Sequence, residues 1–464
     1  MKGKAMTRGT PWKQILKFAF PILAGALLQQ LYNTADTVIV GNFSGEHALA
    51  AVGTTGTFVF LSLAAAIGFS AGNGVLVAQF FGAENELQVR KNASTGILLL
   101  LALGVLLSFL GVILAYPACK YLIAVPEKIL DLSVLYFRIY ALGLVFQFGY
   151  NILASVLRSI GDSAATLYFL LIASVLNILL DLLLVAVFRQ GVTGAAAATV
   201  ISQAVSMAAA WYYMDRKYPF LRFRRGDLTW DNRIAAETLR VGFPITVQMV
   251  VVSLGLTLIM RAVNGFGAVM TASFTVGQRI EMYLRLPCNA LQATLATYTG
   301  QNIGAGKMNR VRLGVRQGEI ISIGLTLLIS GTVWLFAPEI IRLFALSSQA
   351  AAYCHAHLRA VALTNILLAS YIPLFGVFQG TKHTSVPTFV ALINFVSTGC
   401  KDASKWLPYS DKLGNICVAL LFVALLISTF FINFKVTIKL PWKKKAVEEE
   451  VPKVEPKKEE KEDK

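Results

Sequence analysis

Apolar residues fill repeated stretches of the chain, and short polar segments separate these stretches. Each stretch has about twenty residues, which is long enough for a helix to cross a hydrocarbon core of about 30 Å. In lipid, only helices and closed barrels satisfy the backbone hydrogen bonds. Runs such as 97–116 and 416–434 lack the alternating pattern of barrel strands. The pattern therefore predicts an all-α membrane protein.

Twelve transmembrane helices are predicted from this pattern. Their spans lie near residues 14–40, 48–80, 92–116, 131–157, 164–188, 191–214, 237–262, 268–299, 312–336, 355–380, 386–409 and 414–438. Apolar residues make up 56% of the 464 residues, and charged residues make up only 14%. A soluble protein needs more charge to cover its surface, so composition supports the membrane assignment.

The chain carries an internal duplication. Residues 78–83 (AQFFGA) reappear as residues 300–305 (GQNIGA), 222 positions later, and Pro21 has its counterpart in Pro244. Each half then holds six spans, and an even number gives both halves the same orientation in the membrane. Parallel repeats related by a pseudo-two-fold axis along the membrane normal are a known transporter plan. The sequence therefore predicts two six-helix lobes.

Domain boundaries follow from the spans and from the charged segments. Residues 1–214 form the predicted N-terminal six-helix lobe, and residues 237–440 form the C-terminal one. Residues 215–236 are a basic linker that is predicted to be cytoplasmic. Residues 441–464 are rich in Lys and Glu and almost free of apolar side chains, so we expect a disordered charged tail.

The formal net charge of +17 is distributed unevenly. If the N-terminus is cytoplasmic, about 30 of the 42 lysines and arginines fall in cytoplasmic segments, which is the bias of the positive-inside rule. The expected location is the cytoplasmic (inner) membrane, multi-pass, with both termini in the cytoplasm. A nucleic-acid partner is not expected, because no soluble module carries a basic face.

A polar stripe runs along the first predicted helix. Gln29, Asn33 and Asp36 stand at i, i+4 and i+7, on one face of an otherwise apolar helix. An ionisable side chain inside a span is costly and is a functional candidate by default. The structural alternative is that Asp36 only caps the helix near the outer water. Pro21, about four turns earlier, removes a backbone hydrogen bond and predicts a helix kink.

A second polar group lies on the fifth and sixth spans. Asn177 and Asp181 stand four residues apart on one helix face, and Thr199 adds a hydroxyl among small residues. Together with Asp36 they offer two carboxylates, an amide and a hydroxyl. This oxygen-rich set suits a monovalent metal cation such as Na⁺, and a proton could serve instead because two buried like charges resist joint ionisation. The structural alternative is a polar network that holds helices together.

The second half lacks this acidic pattern. The positions equivalent to Asp36 are Leu258 and Ile259. Glu281 and Arg285 stand at i, i+4 in the eighth span and are predicted to neutralise each other. Asp402 lies between two lysines and is predicted to belong to an external loop. Ion coupling is therefore expected in the first half.

These motifs resemble the multidrug and toxic compound extrusion (MATE) family, in its prokaryotic, DinF-like branch. The resemblance covers residues 11–440. It is carried by Pro21, Asn33-x-x-Asp36, residues 41–53, Ala78-Gln79 with Gly82-Ala83, Asn177-x-x-x-Asp181, residues 300–306, and Glu281 within residues 278–281. It implies alternating access between two lobes and export of organic, often cationic, compounds by antiport.

The resemblance also implies which residues act. Asp36, Asn177, Asp181 and Thr199 would form the cation site, coupled to Na⁺ or H⁺, with no other cofactor. Small organic substrates would bind between or within the lobes, against aromatic and Met surfaces that can repack. The candidate cavity residues are Gln29, Asn33, Gln248 and Met249. The expected state is a monomer in the lipid bilayer.

Three alternatives stay open. A lipid-linked oligosaccharide flippase of the same superfamily would need cationic side chains lining its cavity, whereas the intramembrane charges identified in the first half are acidic. A membrane-embedded enzyme would need a nucleophile and base or a metal motif, and none is found in the sequence. A passive channel fits duplicated lobes and buried acids less well than a carrier does.

Overall fold

The structure is a computed structural model that describes residues 5–223, 228–344 and 346–399. These residues form helices without any strand, which confirms the all-α fold class. The helices are α1 (Pro11–Gly82), α2 (Glu86–Pro117), α3 (Glu127–Leu142), α4 (Leu144–Ser159), α5 (Ser163–Asp181), α6 (Gly191–Lys217), α7 (Asn232–Asn264), α8 (Ala268–Gly304), α9 (Met308–Arg342), α10 (Ser348–Gly380) and α11 (Ser385–Gly399). Short π-helical turns at Ala118–Leu122 and Leu182–Val187 extend α2 and α5.

The first ten predicted spans and the beginning of the eleventh fall on these helices. Helix α1 holds the first two spans, and its helical dihedrals are broken at Gly45 (φ 80°, ψ 178°). Helices α3 and α4 form the fourth span, bent by 45°. Within the described ranges, seven helices are long and apolar enough to cross a membrane, and the bent pair makes an eighth. The twelfth predicted span, Asp402 and the charged tail lie outside the described residues.

Side-chain caps fix where several helices begin. The carboxamide of Asn85 accepts a hydrogen bond from the Gln88 amide (3.1 Å) at the start of α2. Asp231 caps α7 through the amide of Arg233 (2.8 Å), and Ser347 caps α10. Such caps satisfy the first amides of a helix, which have no partner inside it.

The duplication detected in the sequence is repeated in the backbone. Gly45 and Gly267 are 222 residues apart, and both adopt a left-handed extended conformation (φ 80°, ψ 178° and φ 92°, ψ 173°). Gly45 separates the two arms of α1, and Gly267 separates α7 from α8. L side chains rarely adopt this conformation. The chain therefore turns at equivalent positions in the two halves, and a glycine in the same conformation makes each turn.

The halves interlock where α1 and α8 end. The Gln79 Nε2 atom donates to the carbonyl of Gly380 (2.9 Å), and the Gln301 Nε2 atom donates to the carbonyl of Ser159 (2.7 Å). Each hydrogen bond joins one half to the other, and their glutamine donors are related by the 222-residue repeat. The Gln301 Oε1 atom also accepts from the Met6 amide (2.7 Å). We call the side of the bundle formed by these residues the N-terminal face.

Candidate cation site and central cavity

The candidate cation site lies where α1 packs against α3 and α5. Asp36 projects from the first arm of α1, and Asp181 is the last residue of α5. Their carboxyl groups face each other closely enough to interact directly. Asn177 lies one turn before Asp181 on the same face, and both side chains are buried. The structure therefore brings together three of the four predicted site residues.

Several polar atoms of this site have no hydrogen-bond partner among the described residues. They are Oδ1 of Asp36, both carboxylate oxygens of Asp181, and both amide atoms of Asn177. Buried polar groups are nearly always hydrogen-bonded, and an unsatisfied one is costly. A donor set of carboxylate and amide oxygens fits a monovalent cation or a proton, because either would satisfy these oxygens.

Three tyrosines that the sequence did not predict lie at the site: Tyr32 and Tyr136 are near the acids, and Tyr140 is near these two rings. Tyr32 lies one turn before Asp36 on α1, and Tyr136 and Tyr140 lie one turn apart on α3. Each is close enough to interact electrostatically with at least one neighbouring ring or acid of the site. The rings of Tyr136 and Tyr140 stack at 6.4 Å. The i, i+4 spacing of Tyr136 and Tyr140 was the one signal in the sequence.

The other predicted residues of the first half are described by their own contacts and exposure. The Thr199 hydroxyl donates to the carbonyl of Ala195 (3.1 Å) on its own helix. Gln29 is half-buried and Asn33 is exposed on α1. Pro21 lies inside α1, where helical dihedrals continue without a break, so the kink predicted there stays a prediction.

The surroundings of the acids are apolar. Buried aliphatic residues of α1, α5 and α6, among them Val40, Val185 and Ala195, form one hydrophobic cluster with Tyr136. Charge interactions are stronger in such low-dielectric surroundings than in water. Two facing carboxylates therefore cannot both ionise cheaply here, and a bound cation or proton would relieve their repulsion.

A central cavity of about 690 Å³ lies between the halves, lined by residues of α1, α4, α7, α8, α10 and α11. Gln248 and Met249, two of the predicted cavity residues, line it. The other two, Gln29 and Asn33, are not among its described lining residues. A concave, mostly apolar space of this size suits a drug-sized organic molecule.

Two arginines line this cavity, Arg158 at the end of α4 and Arg285 in the middle of α8. Arg158 was not predicted among the intramembrane charges of the first half, because the fourth predicted span ends one residue before it. The pairing predicted for Glu281 and Arg285 is confirmed, since the Arg285 Nη2 atom forms an ion pair with the Glu281 carboxylate. Glu281 itself is not among the described lining residues.

Comparison with known proteins gives consistent results. The MatE family model matches residues 21–183 and 244–399, one segment in each half. The probable multidrug resistance protein YpnP of Bacillus subtilis is 31% identical over 397 residues, which cover 85% of this chain and 88% of that protein. This match extends over nearly the whole of both proteins.

Solved structures share the fold. An outward-facing multidrug resistance MATE family transporter superposes with a TM-score of 0.83 at 24% identity, covering 93% of this chain and 97% of that one. A MOP superfamily transporter from Pyrococcus furiosus superposes with a TM-score of 0.84 at 22% identity, with the same coverage. The two-lobe arrangement of helices is therefore that of MATE transporters.

Proposed function

This chain belongs to the MatE family of multidrug efflux transporters, and we propose that it exports organic compounds by antiport with H⁺ or Na⁺ bound at Asp36 and Asp181. The observation that carries the proposal is the facing pair of carboxyl groups, in which Asp36 Oδ1 and both oxygens of Asp181 are buried without hydrogen-bond partners among the described residues. Asn177 contributes an amide oxygen beside them. Such a pair is stabilised by a cation and destabilised by its loss.

Antiport requires that the cation and the substrate favour different states of the protein. The first arm of α1 connects the two sites, because it carries Asp36 in the candidate cation site and Ile22 in the wall of the cavity. A cation that bridges Asp36 to Asp181 would hold α1 against α5. Its release would leave two repelling acids and favour a displaced α1, with a different shape of the cavity.

Three further features belong to the proposal. The protein lies in the cytoplasmic membrane, with its N-terminal face and both termini on the cytoplasmic side. The charge bias of the sequence supports this orientation. It works as a monomer in the bilayer, since both sites are built from side chains of one chain.

The experiment uses purified protein in liposomes, with a pH gradient and a Na⁺ gradient imposed separately. Export of fluorescent organic dyes of both charge signs is followed. Asp36→Asn and Asp181→Asn each preserve size and remove charge. We expect gradient-driven export by both variants to fall to the level of protein-free liposomes, while the amount of folded protein stays unchanged.

Matched controls separate this site from other acids. Asp131→Asn alters an exposed acid of α3 in the same half and should export like the wild type. Glu319→Gln alters a half-buried acid of α9 in the other half, whose Oε1 atom is buried and also lacks a hydrogen-bond partner among the described residues. If Glu319→Gln is inactive while both Asp variants export normally, the coupling site lies in the second half and the proposal is wrong.

A flippase for a lipid-linked oligosaccharide is the second candidate, and one observation favours it. Arg158 and Arg285 line the cavity, as a carrier of a lipid diphosphate would require. The matched relative that is named for multidrug resistance supports export instead. Competition with a polyprenyl diphosphate, described below, decides between the two.

A further inference from the structure

The charge of the central cavity points to the chemistry of its ligand. Two guanidinium groups line it, and no Asp or Glu is among its described lining residues. The resemblance to the family implied substrates that are often cationic. A cation entering this cavity would meet Arg158 and Arg285 without a carboxylate on the wall to balance them.

Arg158 is the more informative of the two arginines. Within the described part of the chain, no hydrogen bond or ion pair engages its guanidinium group. Its electrostatic neighbour is the phenol of Tyr150 on the same helix, and a phenol is neutral near pH 7. A guanidinium that is partly buried in a membrane protein is costly unless an anion or a hydrogen-bond acceptor neutralises it. This arginine therefore offers an unused positive charge to the cavity.

Arg285 forms an ion pair with Glu281, but part of its guanidinium group stays available to a ligand. The Arg285 side chain keeps 35% of its surface exposed, compared with 16% for Glu281. The ion pair uses one terminal nitrogen, Nη2. A guanidinium has five N–H donors in a planar fork, so donors of Arg285 remain available for a carboxylate or a phosphate.

The rest of the wall suits an amphipathic molecule. Amide groups, including those of Gln248, Asn289 and Gln292, offer neutral hydrogen-bonding groups. Tyr371 and Phe375 form an aromatic surface, with ring centroids 5.5 Å apart. Apolar and aromatic surfaces bind the body of a ligand, and a few polar groups fix its orientation.

We propose that the transported compounds include amphipathic organic anions, whose carboxylate, sulfonate or phosphate group binds at Arg158, while Arg285 adds positive charge to the same cavity and the apolar body packs against the aromatic wall. This inference rests on the proposed export function for its direction of transport, and on the cavity alone for its ligand. Arginine is suited to the task because its fork matches a carboxylate or phosphate with two parallel hydrogen bonds.

The test measures binding to the purified full chain in detergent, without any gradient. Two dyes with the same xanthene ring system are compared by fluorescence anisotropy: carboxyfluorescein, an anion, and rhodamine 6G, a cation. We expect the wild type to bind carboxyfluorescein about tenfold more tightly. Equal or tighter binding of rhodamine 6G by the wild type would overturn the proposal without the need for any variant.

Variants then test whether Arg158 binds the anionic group. Arg158→Gln should weaken carboxyfluorescein binding by about tenfold and leave rhodamine 6G binding unchanged or stronger, as loss of one charged contact predicts. Arg158→Lys keeps the charge without the fork and should give an intermediate affinity. Arg138→Gln, on the exposed face of α3, is the matched control and should bind like the wild type. Unchanged carboxyfluorescein binding by a folded Arg158→Gln protein would contradict the assignment.

A competition arm separates a free anion from a lipid-linked one. A polyprenyl diphosphate, which shares the anionic group and the apolar body, is added to the wild type with bound carboxyfluorescein. Tighter binding of carboxyfluorescein than of the polyprenyl diphosphate supports the proposal. If the wild type binds only the polyprenyl diphosphate, a free organic anion is not the ligand and the flippase function is favoured. Because binding needs no gradient, its failure is distinguishable from loss of coupling in Asp36→Asn.

Discussion

The carboxyl groups of Asp36 and Asp181 face each other in apolar surroundings. The charge of this pair therefore affects the stability of the contact between α1 and α5. Two like charges at close range in a low dielectric repel strongly. The aliphatic side chains beside them provide no compensating charge. A cation or proton that binds here reduces the repulsion between two acids that already face each other. Its release restores the repulsion and weakens the contact between α1 and α5.

Asp162, in the turn between α4 and α5, is the acceptor of a second buried polar cluster. Its Oδ2 atom accepts hydrogen bonds from the hydroxyls of Tyr218 (2.6 Å) and Tyr213 (2.8 Å) and from Lys217 Nζ (3.0 Å). Burial alone would raise the pKa of Asp162, but these hydrogen bonds and the Lys217 charge together lower it below its usual value. The carboxylate thus ties the end of α6 to the start of α5.

We predict that Asp162→Asn lowers the free energy of unfolding by about 2 kcal/mol, because a charged acceptor of three donors becomes a neutral amide. The folded-state pKa is lowered, so this stabilisation is present above the unfolded pKa of about 3.9 and is lost as pH falls through the folded value. Thermal unfolding in detergent from pH 7 to pH 3 measures it. The difference in the free energy of unfolding between the wild type and Asp162→Asn should become smaller only below about pH 4.

Asp215→Asn is the control for this prediction. Asp215 lies near the end of α6 as well, but its pair with Arg222 is partly exposed at 3.5 Å. Such pairs contribute about 0–1 kcal/mol. A loss of stability in Asp215→Asn equal to that in Asp162→Asn would show that the buried cluster has no special role.

Glu281→Gln should have a different effect from the Asp36 and Asp181 variants. It leaves Arg285 without its counter-ion and makes the cavity more positive. We expect carboxyfluorescein to bind about two to five times more tightly, which corresponds to about 0.5–1 kcal/mol of screened charge interaction. Gradient-driven export should continue. Anisotropy titration and liposome export measure the two effects, and weaker binding of the anion would contradict the assignment of Arg285.

At the scale of single residues, the sequence predicted the acids but not their neighbours. Asp36 and Asp181 were detectable because a charged residue inside an apolar run is anomalous by itself. Tyr136 escaped notice because tyrosine is common in membrane helices, and only packing shows that it lies near the acids. The involvement of Thr199 in the site stays a prediction, since its hydroxyl donates a hydrogen bond to the carbonyl of Ala195 in the same helix.

At the scale of helices, the apolar pattern predicted where spans lie but not how they join. Residues 41–47 were expected to separate two spans, yet α1 continues through them with one break, at Gly45. The fourth span was expected to be a single helix and is bent at Gly143, where α3 meets α4. Hydropathy records how apolar a segment is, whereas a break depends on the dihedral angles of one or two residues.

Gly45→Ala and Gly267→Ala should each destabilise the protein by about 1–3 kcal/mol. An added Cβ would meet nothing within 4 Å at either position, so the whole effect comes from the left-handed extended backbone. Gly53→Ala is the matched control, because it also lies in open space within α1 but has ordinary helical dihedrals. It should be neutral or stabilising by up to about 1 kcal/mol. Equal melting temperatures for all three variants in detergent would contradict this explanation.

At the scale of the whole molecule, the short motif repeated at residues 78–83 and 300–305 predicted two parallel halves, and the matching glycines and glutamines show the same repeat in three dimensions. The central cavity could not be predicted in this way. Its wall combines side chains from six helices of both halves, and the sign of its charge depends on Arg158 lying just inside the bundle.

The contact between the halves at the N-terminal face is so close that it admits no side chain. A Cβ on Gly82 would lie 1.9 Å from the carbonyl oxygen of Gln301, and a Cβ on Gly304 would lie 1.8 Å from that of Gln79. Backbone atoms at such distances cannot move aside as a flexible side chain can. Alternating access requires the halves to separate on this face in one state, so these glycines permit the closed state without being needed in the open one.

We therefore predict that Gly82→Ala and Gly304→Ala separate the halves at the N-terminal face without unfolding the protein. Spin labels at Glu86→Cys and Met308→Cys, which are exposed and 222 residues apart, report the separation in a background that lacks the five native cysteines. Pulsed electron resonance should show longer distances in either alanine variant. Gln79→Ala with Gln301→Ala removes hydrogen bonds but introduces no clash, so it should populate the longer distance only in part. Unchanged distances in folded Gly82→Ala protein would show that the close contact does not control this face.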